Sequence, residues 1–125
     1  MGLSIFDKPL IFAKDSLFLA KKAARMTAYL VLKNNPQYAV PVALALGPIY
    51  DAISKGTAAA AVKALIDSGL ARLAQEVKDP LVQAEIADLG SLIEFESTGD
   101  NDKDLGKLKE VLDAFRNGMD LAVRK

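Results

Sequence analysis

The chain has 125 residues, 51% of them apolar and 26% charged, and sixteen basic residues balance sixteen acidic ones. This length suits one domain over residues 1–125 with a sizeable core, and the composition lies far from the polar, highly charged range of disordered chains. Cysteine and histidine are both absent, which removes disulfides, thiolate chemistry, the commonest general base and the commonest zinc and haem ligands, while the balanced charge supplies no field to draw in nucleic acid.

The opening MGLSIFDK places Phe6 where a myristoylation pattern requires Ser or Thr, and Asp7 and Asp15 interrupt any leader, so an unprocessed cytoplasmic chain is expected. Asp7 and Pro9 carry a cap-then-proline signal for a helix start, and a long first helix follows to about Lys33. Lys14, Asp15, Lys21, Lys22, Arg25 and Lys33 recur at helical spacing on one face; Leu10, Phe12, Leu17, Leu19, Met26 and Leu30 fill the rest. That pattern suits a bundle helix with a solvated basic stripe, and it is also the recipe for a helix lying in a membrane interface.

Asn34, Asn35 and Pro36 repeat the signal. The segment from Tyr38 to Ile53, YAVPVALALGPIYDAI, then has no polar face, and no charge occurs from Asn34 to Tyr50. A helix apolar all round must be covered by protein or lipid, so this segment is expected at the centre of the bundle. Gly47 and Pro48 predict a break into two short helices, about Pro36 to Leu46 and about Pro48 to Lys55, neither of the roughly 20 apolar residues that span a bilayer. Tyr29, Tyr38 and Tyr50 are placed to pack their rings while their hydroxyls find partners.

Thr57 is the expected cap of a third helix, whose Val62, Leu65, Ile66, Leu70, Leu73 and Val77 form the core stripe and whose alanine run invites a close neighbour. Gly69 in its middle points to a site buried enough to tolerate glycine. Asp79 and Pro80 open a fourth helix with Val82, Ile86, Leu89 and Ile93 inward and Glu85, Asp88 and Glu96 on an acidic side. Ser97 to Asp104 reads as the one evident loop, and a last helix from about Leu105 turns Leu108, Leu112, Phe115 and Met119 inward. The fold class is therefore all-α, a compact bundle of about five helices around a proline-kinked apolar segment.

Charge is uneven along this order. Residues 1–34 carry six bases and two acids, and residues 79–104 carry eight acids and one base. Two arrangements follow: the first and fourth helices lie side by side in one bundle, or the basic face of one copy meets the acidic face of another. The second makes Lys14, Lys21, Lys22, Arg25, Glu85, Asp88 and Glu96 candidate interface residues. Asp100, Asp102 and Asp104 alternate as the start of a calcium loop does, but Gly106 comes one place late and Val111 stands where a bidentate Glu belongs, so a solvated acidic loop is the stronger reading. Phosphate-loop spacing fails at Lys55 to Thr57 and at Gly99 to Lys107, and Glu94 and Glu96 point to different faces. With no catalytic constellation and no cofactor motif, the expected role is a non-enzymatic structural or interaction module that self-associates or docks on a protein partner; the alternative is a membrane-active protein that offers its first two helices to a lipid surface.

Overall fold

The computed structural model describes residues 3–93 and 99–123. It is a compact all-α bundle: α1 Leu3–Asn34, a single 3-10 turn Pro36–Tyr38, α2 Ala39–Ser54, α3 Ala59–Glu76, α4 Pro80–Ile93 and α5 Asn101–Val123. The pairing of α1 with α5 is the most extensive contact, and α4 packs on α1. Beside them α3 lies against α4 and α5, and α2 rests on α3 and α5. Leu32, Leu89 and Leu108 are the largest side chains wholly withdrawn from water, one each from α1, α4 and α5.

Small residues govern the α1–α5 contact. Ala20, Ala24 and Ala28, one turn apart, are all buried on α1; Ala114, Gly118 and Ala122 repeat that spacing on α5 and pack into the same core. At Gly118 the two backbones meet: an added Cβ would stand 2.8 Å from the Arg25 carbonyl carbon and closer still to its oxygen. Only glycine fits there, because the obstacle is main chain that cannot rotate aside.

Helix ends follow local chemistry. The Asp79 carboxylate accepts from the Leu81 amide at 2.9 Å, as its cap position predicts. The Gln83 amide nitrogen donates back to the carbonyls of Ala74 (3.0 Å) and Val77 (2.7 Å), satisfying the end of α3. Gly56 takes the left-handed φ of +74° that lets the chain turn from α2 to α3.

Several boundaries differ from expectation. α1 begins at Leu3, so Asp7 and Pro9 stand in its second turn and do not start it. α2 runs unbroken through Gly47 and Pro48; Pro48 forfeits one amide bond to the Leu44 carbonyl, and both Leu44 and Pro48 are exposed. Thr57 does not cap α3. Asn101 does so from across the bundle: its Oδ1 accepts from the Ala59 amide at 2.8 Å, and its Nδ2 donates to the carbonyls of Thr57 (3.1 Å) and Gly56 (3.3 Å). α5 starts at Asn101 and not near Leu105, because the Asp100 carboxylate accepts from the amides of Asp102 (3.0 Å) and Lys103 (3.3 Å) and nucleates the turn four residues early.

The packing at Gly118 has a direct test. Gly118→Ala is expected to destabilise the fold by about 1–3 kcal/mol through forced separation of α1 and α5, whereas Gly69→Ala, whose Cβ meets nothing within 4 Å, is expected to stabilise it by up to about 1 kcal/mol. Urea unfolding followed by circular dichroism reads both; equal effects would contradict the close approach.

Candidate interaction surface

The apolar segment Tyr38 to Ile53 is not central. Its helix, α2, buries one side only: Leu46 and Ile49 enter the core, with Val42 and Ile53 half-buried beside them. The opposite side faces water. Val40 is 67% and Leu44 71% exposed, and Pro41, Ala43, Gly47 and Pro48 are exposed around them. The expectation that the chain's own helices cover this segment is corrected: the α1–α5 core is filled by alanine and leucine stripes from elsewhere, which leaves α2 on the outside.

Two tyrosines pin α2 in place. The Tyr38 hydroxyl, in the turn before α2, donates to the Glu76 carbonyl at the end of α3 at 3.2 Å. The Tyr50 hydroxyl donates to an Asp113 carboxylate oxygen on α5 at 2.7 Å, and Lys109 holds the other oxygen at 3.2 Å. The Arg116 guanidinium lies 5.5 Å from the centre of the Tyr50 ring. Burial, and then the bond to the Asp113 carboxylate, push the Tyr50 hydroxyl up to about 12, with Arg116 pulling the other way. Burial would raise the Asp113 carboxyl, but the bonds from Tyr50 and Lys109 and the charges of Lys109 and Arg116 outweigh it and hold that group below its ordinary value. Tyr29 is separate, its ring 5.7 Å from the Lys33 ammonium. Tyr38 and Tyr50 thus secure different helix contacts, while Tyr29 meets a side chain of its own helix.

A second exposed face lies on α1. Phe18, Leu19 and Met26 are exposed large apolar residues, and Lys22 and Arg25 stand exposed among them. Lys21 turns toward α5 and pairs with Glu110 at 3.0 Å. α1 and α4 are neighbours within the bundle, joined by the buried Thr27, whose hydroxyl reaches the Glu85 carbonyl at 3.4 Å. Asp88 is exposed on α4. Glu96 and the side chain of Lys14 lie outside the described residues. Of the candidate charged interface, Lys22, Arg25 and Asp88 therefore face solvent, Lys21 is engaged within the chain, and Glu85 is half-buried.

The structure separates the acids of the calcium-like fragment. Asp100 spends its carboxylate on the first amides of α5, Asp102 is exposed in the first turn, and Asp104 is buried. On a helix the middle of three alternating residues faces away from the other two, and no group of three acids among the described residues is placed to hold a metal ion. In α3 the alanines Ala60, Ala61, Ala64 and Ala71 are exposed, as is Gly69. That run does not bring a neighbour close, and Gly69 is neither buried nor crossed; the close contact belongs to α1 and α5.

Among the described residues no helix is long and apolar enough to cross a membrane. No family model, no curated protein and no solved structure matches the chain.

The Tyr50–Asp113 tie sets a pH dependence. Because the Tyr50 hydroxyl ionises above its ordinary value of 10.0, its contribution to stability is whole below that pH and is lost as pH rises toward about 12. Tyr50→Phe is expected to abolish this alkaline loss and to delete the phenolate absorbance that develops near pH 12. A titration in which the wild-type and variant curves superpose would show that the bond is not made.

Proposed function

We propose that the protein is a non-enzymatic interaction module that associates with a second copy of itself through the exposed face of α2. One observation carries the reading: Val40 and Leu44 stand in water, 67% and 71% exposed, on a helix with no charge between Asn34 and Tyr50. Fully burying a Val or Leu side chain gains roughly 1.5–3 kcal/mol, and exposed apolar surface of this kind marks interaction sites on folded proteins. A twofold contact uses the same face on both copies, so each apolar residue is buried twice. Ala43 and Gly47 flank Leu44 and allow two helices to approach closely.

Sedimentation over a wide dilution series tests this. Leu44→Glu is expected to weaken self-association by at least about thirtyfold, the equivalent of roughly 2 kcal/mol, with an unchanged helical spectrum because the side chain is already outside the core. A wild-type protein that stays monomeric at high concentration would defeat the reading.

A second reading is supported by α1, where exposed Phe18, Leu19 and Met26 sit with Lys22 and Arg25. Bulky apolar residues interleaved with bases suit the surface of an anionic membrane. Liposomes of mixed neutral and anionic lipid are expected to float the protein at low salt, and Lys22→Glu with Arg25→Glu to abolish flotation. Equal recovery with neutral and anionic lipid would remove the electrostatic part of the reading.

A further inference from the structure

Between α2 and α3 a cleft of about 80 Å³ runs into the bundle and stays open to solvent. Leu46 and Ile49 form one wall, Ile66 and Leu73 the other, and Leu89 of α4 and Phe115 of α5 lie at its floor. Every side chain that lines it is hydrocarbon, so water inside would find no side-chain partner and an apolar ligand displaces it without loss of hydrogen bonds to side chains. The exposed members of the lining are Ala45 on α2 and Gly69 on α3. At Gly69 nothing lies within 4 Å of where a Cβ would stand. Neither residue carries a side chain long enough to close the mouth.

Within one turn of Ala45 and of Gly69, the one charge outside an ion pair among the described residues is a base. α2 brings no charged residue to it, since none occurs from Asn34 to Tyr50. On α3, Arg72 follows Gly69 by three residues, one helical turn along, and is exposed. Among the described residues no ion pair engages it. Glu76 is the acid of the next turn, at the far end of the helix, where its carbonyl receives the Tyr38 hydroxyl. The bases and acids nearer the start of α3, Lys63 and Asp67, pair with each other at 2.8 Å.

We propose that this cleft binds a single-chain anionic amphiphile. A straight alkyl tail enters between Ala45 and Gly69 with its terminal carbons against Leu89 and Phe115, and its carboxylate remains at the rim beside Arg72. Size selects the tail: the space is about half that of an apolar cavity of about 150 Å³ that holds benzene, so it takes the end of an unbranched chain and no bulky ring. Charge selects the head, because Arg72 is the cation one turn from the mouth and a carboxylate is the group a guanidinium fork fits. The site is distinct from the exposed face of α2, whose Val40 and Leu44 point away from the cleft.

Sodium decanoate below its micellar concentration is the probe, with decyltrimethylammonium as a ligand of the same tail and opposite head. Calorimetry is expected to give saturable one-to-one binding of decanoate, about tenfold tighter than the cationic ligand, with methyl resonances of Ile49, Ile66 and Leu89 shifted on titration. Arg72→Glu is expected to invert the head-group preference. Gly69→Leu fills the mouth with a residue that favours helix over glycine and is expected to lose at least tenfold in decanoate affinity while the fold is kept. Unsaturable binding, undiminished affinity in Gly69→Leu, or loss with Leu44→Glu in place of Gly69→Leu would each overturn the proposal, the last by moving the ligand to the outer face of α2. Self-association measured on the Gly69→Leu protein is expected to be unchanged, which separates this site from the self-associating face.

Discussion

The main-chain approach of α1 and α5 at Gly118 and Arg25 sets the geometry that the other helices must accommodate. α1 buries Ala20, Ala24 and Ala28, α5 buries Ala114 and Gly118, and at Gly118 the two helices come closer than leucine-faced helices do, because no side chain separates their backbones there. What this pair lacks in side-chain volume must come from its flanks. Val31, Leu32, Leu105, Leu108 and Leu112 supply it, and they create the surface onto which α4 and α3 fold. A tight pair with leucine flanks is already close to complete with four helices, and α2 adds only Leu46, Ile49 and partly buried neighbours to it.

That arrangement explains why the most apolar helix is also among the least covered. Hydrophobicity alone ranks Tyr38 to Ile53 first for burial, yet burial is a competition for a limited interior, and close packing of small residues won the centre. α2 is instead held at its two ends by hydroxyls, Tyr38 on the Glu76 carbonyl and Tyr50 on Asp113. Hydrogen bonds at solvent-accessible sites contribute modestly, about 1 kcal/mol each, so α2 is fixed in direction more firmly than it is sealed against its neighbours. The unsealed margin is the cleft that ends at Leu89 and Phe115.

The number of helices, their order and most of their inward stripes were legible from periodicity: Val62, Ile66 and Leu73 on α3, Val82, Ile86 and Leu89 on α4, and Leu108, Leu112 and Phe115 on α5 are buried where the spacing puts them. Boundaries that depend on partners distant in the chain were not. Asn101 caps α3 from 42 positions away, and no local pattern announces such a bond. The signal for the central pairing was present in Ala20, Ala24, Ala28 and in Ala114, Gly118, Ala122, but a small-residue repeat says only that something approaches. The similar run in α3 faces solvent, which shows that the partner and not the run decides.

Function is less legible because the informative quantity is what remains uncovered, and that is fixed only after the helices have chosen their neighbours. Asp100 illustrates the point: in a list of residues it belongs to an acidic triplet, and in space it is a helix cap. Val40 and Leu44 illustrate the reverse, since they look like core residues and stand in water. An apolar face costs solubility and exposes the chain to indiscriminate association; on α2 it is uninterrupted by any of the charges that guard the exposed faces of α3 and α5. Lys and Glu at those positions would cost little in packing, because most of each side chain already stands in water. The absence of charge on a surface where charge is free is the physical ground for proposing α2, and not the more highly charged α1 or α4, as the contact face.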